Sequence, residues 1–107
     1  MNANRPRVIC LCGSTRFPDA WEREYARLSD EGNIVLTVAR LRPDVTLQER
    51  EPELKARLDV LHLRKIDLAD EVFVLNVGGY IGESTAREVA YAQEHGKRVR
   101  FLEPSLV

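Results

Sequence analysis

The sequence contains little cysteine or histidine. Its 107 residues include two cysteines, Cys10 and Cys12, and two histidines, His62 and His95. The cysteines lie two residues apart in an apolar run, so on a strand they point to the same face and are poorly placed for a disulfide with each other. The histidines show no spacing typical of zinc sites. These features predict buried, reduced thiols in a cytoplasmic protein and imply no metal.

The chain also lacks an excess of either charge and a long hydrophobic run. It carries 16 basic and 17 acidic side chains, for a net charge of −1, whereas surfaces that bind nucleic acids or anionic membranes usually have a basic excess. The apolar stretch at residues 8–12 stops at Gly13 and is too short for a signal-peptide core or a membrane span. We therefore expect residues 1–107 to form one domain with neither a nucleic acid nor a membrane as its partner.

Four apolar segments alternate with three helical patterns. The predicted strands, recognised by continuous apolar runs bounded by turn residues, cover residues 8–12, 34–38, 72–77 and 99–102. The predicted helices cover residues 19–31, 52–69 and 85–95. The residues expected on their inward faces are Ala20, Tyr25 and Leu28, then Leu54, Leu58, Leu61 and Ile66, then Val89 and Ala92.

This alternation of strands and helices predicts an α/β fold. Because consecutive parallel strands are joined by right-handed crossovers, the simplest solution is a flavodoxin-like (Rossmann-like) three-layer sandwich. Its parallel sheet would have four or five strands, in the order 2-1-3-4 for the four that are recognised. Ligands of such sheets bind outside the carboxyl ends of the strands, where the strand order reverses. We therefore expect a site between the loops that follow the first and third strands.

The loop after the first strand has the composition of an anion site. Gly13 permits a tight turn into a helix N-terminus, where backbone amides can face a ligand. Ser14 and Thr15 add hydroxyl groups, and Arg16 adds a planar guanidinium suited to phosphate. An ordinary strand-to-helix turn with a solvated Arg16 explains the same residues, and the loop alone does not separate the two interpretations.

The loop after the third strand is rich in glycine. Gly78, Gly79 and Gly82 are costly to order, which favours a loop shaped to approach a ligand closely. The loop follows the wrong strand for a dinucleotide-binding fingerprint, so no redox cofactor is implied. Thr85 and Glu88 then open a helix. They fit either a capping box or a carboxylate at the mouth of the crevice.

The order and spacing of these segments resemble the nucleoside 2-deoxyribosyltransferase superfamily, and most closely its 2′-deoxynucleoside 5′-phosphate N-hydrolases. The resemblance covers nearly the whole chain. The matching segments are Cys-Gly-Ser-Thr-Arg at 12–16, Glu24 with Arg27 and Leu28, Gly-Asn-Ile-Val-Leu-Thr at 32–37, Ala-Asp-Glu-Val-Phe-Val at 69–74, Glu88 with Ala90 and Ala92, and Gly-Lys-Arg-Val at 96–99.

The resemblance implies cleavage of an N-glycosidic bond between base and sugar, with Glu88 as the nucleophile. The aspartate that the family carries on its second helix aligns with His62, so the nearby Asp59, Asp67 and Asp70 are candidates for proton transfer or base orientation. Eight residues of the two loops are expected to bind the phosphate or the sugar of a nucleotide. They are Gly13, Ser14, Thr15, Arg16, Asn76, Gly79, Gly82 and Ser84.

The leading interpretation is therefore hydrolysis of a (deoxy)nucleoside 5′-monophosphate, without cofactor. Transfer of deoxyribose to a second base is closely related, since it requires only that a free base outcompetes water. A non-catalytic nucleotide-binding sensor and a purely structural domain are also compatible with the sequence. The resemblance further implies a homodimer or a larger homo-oligomer.

Overall fold

The computed structural model describes residues 5–38 and 52–104, which form four strands and three helices. Residues 40–51, the long connection that the sequence indicates between the second strand and the second helix, lie outside the described residues. Val77–Gly79 forms a single turn of 3-10 helix. In chain order the elements are β1 (Val8–Gly13), α1 (Pro18–Asp30), β2 (Ile34–Leu36), α2 (Pro52–Leu68), β3 (Glu71–Leu75), α3 (Glu83–Glu94) and β4 (Arg98–Phe101).

The four strands form one parallel sheet in the order β2-β1-β3-β4. This confirms the predicted flavodoxin-like α/β architecture. The two central strands are the continuous apolar runs of the sequence, because both of their faces are covered. The edge strand β4 instead exposes Arg98 and Arg100, and charged side chains of this kind discourage further strand pairing.

Alternate residues of β1 face different helices. Ile9 and Leu11 pack with Trp21 and Leu28 of α1 on one face of the sheet. Cys10, Cys12 and Val8 pack on the other face, in the apolar cluster whose further buried members come from α2, α3, β3 and Ala69 between α2 and β3. Since successive strand residues point to opposite faces, a single apolar run supplies both halves of the core.

The helix faces differ in part from those predicted. Tyr25 is 47% exposed, whereas Trp21 and Glu24 of α1 are buried, and the Glu24 carboxylate accepts a 2.8 Å hydrogen bond from Arg27. On α2, Leu61 is 44% exposed, and the buried residue at that level is His62. The expectations for Tyr25 and Leu61 were wrong because the polar residues one position away, Glu24 and His62, are buried with hydrogen-bonding partners.

The ends of the strands and helices lie within a few residues of the predicted positions. The second strand ends at Leu36 rather than at residue 38, and the third ends at Leu75, so that Val77 belongs to the 3-10 turn. The third helix begins at Glu83, two residues before the predicted start. No helix among the described residues is both long and apolar enough to cross a membrane.

Candidate functional site

The candidate site lies at the carboxyl ends of β1 and β3, where the strand order reverses. Gly13, the last residue of β1, pairs with Leu75, the last residue of β3. A Cβ atom on Gly13 would lie 3.0 Å from the Leu75 Cβ and 3.1 Å from the Leu75 carbonyl oxygen. Glycine is therefore needed here for the close approach of two strands, and this approach brings the two following loops together.

The loop after β1 is held by the backbone and side chain of Ser14. The Ser14 hydroxyl oxygen accepts a hydrogen bond from the Arg16 amide at 3.2 Å, and its carbonyl accepts one from the Trp21 indole at 3.0 Å. Thr15 and the Arg16 side chain are exposed. The loop is thus anchored to the buried face of α1, while its hydroxyl and guanidinium groups remain near solvent.

Aromatic contacts join this loop to the loop after β3. The Arg16 guanidinium lies 4.4 Å from the centroid of the Tyr80 ring, which is within the range of a cation–π contact. The Phe17 ring meets the same tyrosine edge-on, with ring centroids 6.1 Å apart. The two loops predicted to share a ligand are therefore neighbours in space.

The loop after β3 is fixed from below by Asn76. This buried side chain donates to the Glu103 carbonyl at 3.0 Å and accepts from the Glu103 amide at 2.9 Å. The Glu103 carboxylate in turn accepts a 2.6 Å hydrogen bond from the Gly78 amide. Gly78 and Gly79 have φ values of 63° and 83°, a region that strongly favours glycine. Asn76 thus serves to shape the loop.

Helix α3 begins without a side-chain cap. Its N-cap residue is Gly82, and Thr85 makes no capping hydrogen bond. The capping-box interpretation of Glu88 is therefore removed. Ser84, in the first turn, has its hydroxyl 3.3 Å from Arg87, which donates to it. The amides of this first turn have no capping side chain and lie at the crevice.

Glu88 is directed inward from the second turn of α3. Its side chain is 16% exposed, and its Oε1 atom lies 4.0 Å from Nε2 of His62. Burial raises the pKa of Glu88, while the neighbouring His62 and a hydrogen bond with Cys12 act in the opposite direction. The carboxylate therefore lies just behind the end of β1, one residue from the Gly13 turn.

A cluster of two thiols and an imidazole lies behind Glu88. Nε2 of His62 is 3.4 Å from Sγ of Cys12 and 3.7 Å from Sγ of Cys10. A hydrogen bond from Cys12 lowers the pKa of Cys10 to about 6, against the effect of burial. The same bond, together with burial, raises the pKa of Cys12. Burial lowers the pKa of His62, but the contact with Cys10 and the charge of Glu88 outweigh it and raise the pKa overall.

The sequence reasoning did not find this cluster. His62 follows Cys12 by 50 residues, so no local spacing marks the three side chains as neighbours. One signal was present, because a histidine at helical spacing from Ile66 lies on the packed face of α2 rather than in solvent.

Asp67 and Asp70 lie away from the crevice. The Asp70 carboxylate accepts a 2.8 Å hydrogen bond from the amide of Val8, the first residue of β1, and therefore lies at the amino ends of the strands. Asp67, near the C-terminal end of α2, accepts a 2.6 Å bond from the Tyr91 hydroxyl. Neither is brought together with Glu88. Asp59 lies one turn before His62, and its negative charge contributes to the raised pKa of Glu88 after the larger effect of burial.

No family model, curated protein or solved structure matches the chain.

Proposed function

We propose that the protein is an N-glycosidase that hydrolyses the base–sugar bond of a nucleoside 5′-monophosphate, with Glu88 as the nucleophile. The observation that carries the proposal is the position of Glu88. Its carboxylate lies beside the last residues of β1, at the strand ends from which the Gly13–Arg16 segment emerges. A nucleophile and an anion-binding loop at one edge of the sheet suit a substrate with a phosphate at one end.

The phosphate end of the substrate would be held by the loop after β1. Arg16 supplies a guanidinium that is exposed and oriented by the Tyr80 ring. The Ser14 oxygen already accepts a bond from the Arg16 amide, so its hydroxyl proton is free to bond to a phosphate oxygen. The uncapped first turn of α3 adds amide donors, since a helix N-terminus favours negative charge.

The chemistry assigned to Glu88 is a double displacement. A carboxylate oxygen bonds to the anomeric carbon while the N-glycosidic bond breaks, and the bond's electron pair leaves with the base. Water then attacks the anomeric carbon of the glycosyl ester, which releases the sugar phosphate and restores the carboxylate. A second acidic group must protonate the departing base and later take a proton from water.

Asp59 is the aspartate of α2 best placed for this second role. It lies on the same helix face as His62, toward the carboxyl ends of the strands, and its charge acts on Glu88. Its carboxylate is 44% exposed and accepts a 2.6 Å hydrogen bond from Nζ of Lys55. Asp67 and Asp70 lie at the other edge of the sheet and have no part in this proposal.

The test is base release from a panel of ribo- and deoxyribonucleoside 5′-monophosphates, followed by chromatography. Glu88→Gln keeps the size of the side chain but removes its nucleophilic charge, and we expect the rate to fall by about 10³-fold or more. Glu94→Gln is the matched control on the same helix, because Glu94 is exposed and lies at its opposite end. That variant is expected to keep the wild-type rate.

A substrate analogue with fluorine at the 2′ position tests the covalent step directly. The fluorine slows both displacements, and a good leaving group restores the first, so a glycosyl ester accumulates on Glu88 and is visible as added protein mass. Wild-type turnover by Glu88→Gln would contradict the assignment. Binding of intact nucleotide with no release of base from any substrate would contradict the enzyme and favour a nucleotide-binding sensor. Adding a free base during turnover distinguishes transfer, which would form a new nucleotide, from hydrolysis, which would not. The predicted homo-oligomer is a separate question and stays a prediction.

A further inference from the structure

The buried cluster behind the crevice has the composition of a site for a soft cation. Cys10 and Cys12 are both 0% exposed, and His62 is 5% exposed. Their ligand atoms, two Sγ and one imidazole nitrogen, all lie within 4.8 Å of one another. Thiolate and imidazole ligands favour zinc or a similar transition metal over magnesium or calcium, which prefer oxygen.

Two of the three distances in the cluster match the edges of a zinc tetrahedron. Zn–S bonds of about 2.3 Å and Zn–N bonds of about 2.0 Å, at tetrahedral angles, place sulfur and nitrogen about 3.5 Å apart. The two observed distances from Nε2 of His62 are 3.4 Å to Cys12 and 3.7 Å to Cys10. The two Sγ atoms lie within 4.8 Å of each other, against about 3.8 Å in such a tetrahedron, so a bound ion would draw the thiols together.

Hydrogen bonds hold this cluster only in pairs: Nε2 of His62 bonds to one sulfur atom, and the second thiol bonds to the first. A cation uses all three atoms at once. The Oε1 atom of Glu88 lies 4.0 Å from the same nitrogen but outside the group of atoms within 4.8 Å of one another, so its side chain would have to rotate toward the ion to act as a fourth ligand.

We propose that Cys10, Cys12 and His62 bind one zinc ion, with the Glu88 carboxylate as the fourth ligand. On binding, the ion displaces the two thiol protons, which pass to water. The two thiolates and one carboxylate then carry three negative charges against the two positive charges of zinc, so the site has a net charge of −1. Zinc sites with four protein ligands are closed, and the burial of the cluster agrees with a closed site. Because Cys10 and Cys12 lie on β1 while His62 and Glu88 lie on α2 and α3, the ion would join the central strand to both helices on that face.

One consequence rests on the proposed function. A carboxylate bound to zinc is not free to attack the anomeric carbon, so zinc binding and base release exclude each other at Glu88. Zinc would then act as a reversible inhibitor, and a chelator would restore turnover.

The experiment is titration of the purified full chain, first stripped of metal by a chelator, with Co²⁺ and then with Zn²⁺. We expect one Co²⁺ per chain, with the strong visible bands of tetrahedral cobalt and near-ultraviolet thiolate-to-cobalt charge transfer, and displacement of Co²⁺ by Zn²⁺. Cys12→Ser is expected to weaken zinc binding by about 100-fold or more, because loss of a direct ligand should exceed the effect of losing a supporting contact. His95→Gln, at the exposed second histidine, is the matched control and should bind as the wild type does.

Glu88→Gln distinguishes the fourth ligand, because it should weaken zinc binding and change the visible bands while the thiolate bands remain. Absence of thiolate-to-cobalt charge transfer in the wild type would overturn the zinc site, whether or not any variant folds. Unchanged affinity in Cys12→Ser would overturn it as well, and an unchanged spectrum in Glu88→Gln would overturn the fourth ligand. These spectra do not depend on turnover, so a protein that binds zinc but releases no base would refute the glycosidase and leave the zinc site standing.

Discussion

Replacement of Gly13 by alanine tests whether the close approach of β1 and β3 supports the site. The added Cβ would lie 3.0 Å from the Leu75 Cβ and 3.1 Å from its carbonyl oxygen, whereas carbon atoms in contact are normally about 3.5–4.0 Å apart. The obstructing atoms belong to the backbone and to a Cβ, so no side-chain rotation relieves the clash. The strand ends must therefore separate by a few tenths of an ångström.

The expected cost is the difference between two effects. Overpacking of this kind costs about 1–3 kcal/mol. The smaller conformational entropy of unfolded alanine returns about 0.4–1 kcal/mol. We expect Gly13→Ala to lower the free energy of unfolding by about 1.5 kcal/mol, measured by urea denaturation, which corresponds to a fall in Tm of roughly 6–12 °C for a domain of this size.

The same change should weaken nucleotide binding, because the loop that begins at Ser14 moves with the strand end. We expect KM for a nucleoside 5′-monophosphate to rise more than kcat falls. Gly32→Ala is the control. Gly32 has a φ of 96° and no atom within 4 Å of its added Cβ, and it lies at the other edge of the sheet. It should lose about 1–3 kcal/mol through backbone strain without a change in KM. A Gly13→Ala protein as stable as the wild type would refute the steric argument.

Three further substitutions test separate parts of the structure. Arg16→Ala should weaken the binding of nucleoside 5′-monophosphates by about 10- to 100-fold and leave the binding of unphosphorylated nucleosides nearly unchanged. Isothermal titration calorimetry measures both affinities, and an equal loss for both ligands would contradict a phosphate contact. Asp70→Asn should lower stability at neutral pH by about 1 kcal/mol, since it weakens the hydrogen bond from the Val8 amide. That bond, together with Arg5 and the positive charge of Lys97, lowers the pKa of Asp70 below its ordinary value of 3.8. Because the pKa of Asp70 is lower in the folded state, this stabilisation is complete above about pH 4 and is lost as the pH falls through the folded pKa. The stability difference between Asp70→Asn and the wild type should therefore shrink in acid. A difference in chemical denaturation that does not change with pH would exclude this origin. Glu71→Gln should lower the free energy of unfolding in urea by about 2–3 kcal/mol, because it removes the charge that pairs with Arg7 at 3.0 Å and with Arg100 at 2.8 Å. The partial exposure of the two arginines keeps the loss below that of a fully buried pair. A loss under about 1 kcal/mol would show that these ion pairs contribute little.

The sheet was predictable because its strands follow a simple rule. Continuous apolar runs bounded by glycine or proline marked the central strands, and crossover handedness then left one simple strand order. The expected location of a site also followed from that order, since parallel strands deliver their following loops to one edge, and it stays a prediction. Pattern and topology were sufficient for the sheet because neither depends on the identity of a single side chain.

The contents of the site were less predictable because they depend on which polar residues are buried. Glu24, Glu71 and His62 are each buried through a specific partner, and a hydropathy pattern assigns such residues to solvent. Asp59 and Asp67 were equivalent candidates in the sequence, yet they lie two turns apart on α2. Two turns of helix rise by about 11 Å, and that rise decides whether an aspartate of α2 lies near the carboxyl ends or the amino ends of the strands.

The position of Glu88 explains why one carboxylate can be considered for two roles. It is the one member of its cluster that is not fully enclosed, because Cys10, Cys12 and His62 are at most 5% exposed while its own side chain is 16% exposed. On its inner side it meets thiols and an imidazole, which attract a cation. On its outer side it meets the crevice, where a sugar carbon would arrive. A group in this position would link the occupancy of the buried cluster to the chemistry proposed at the surface.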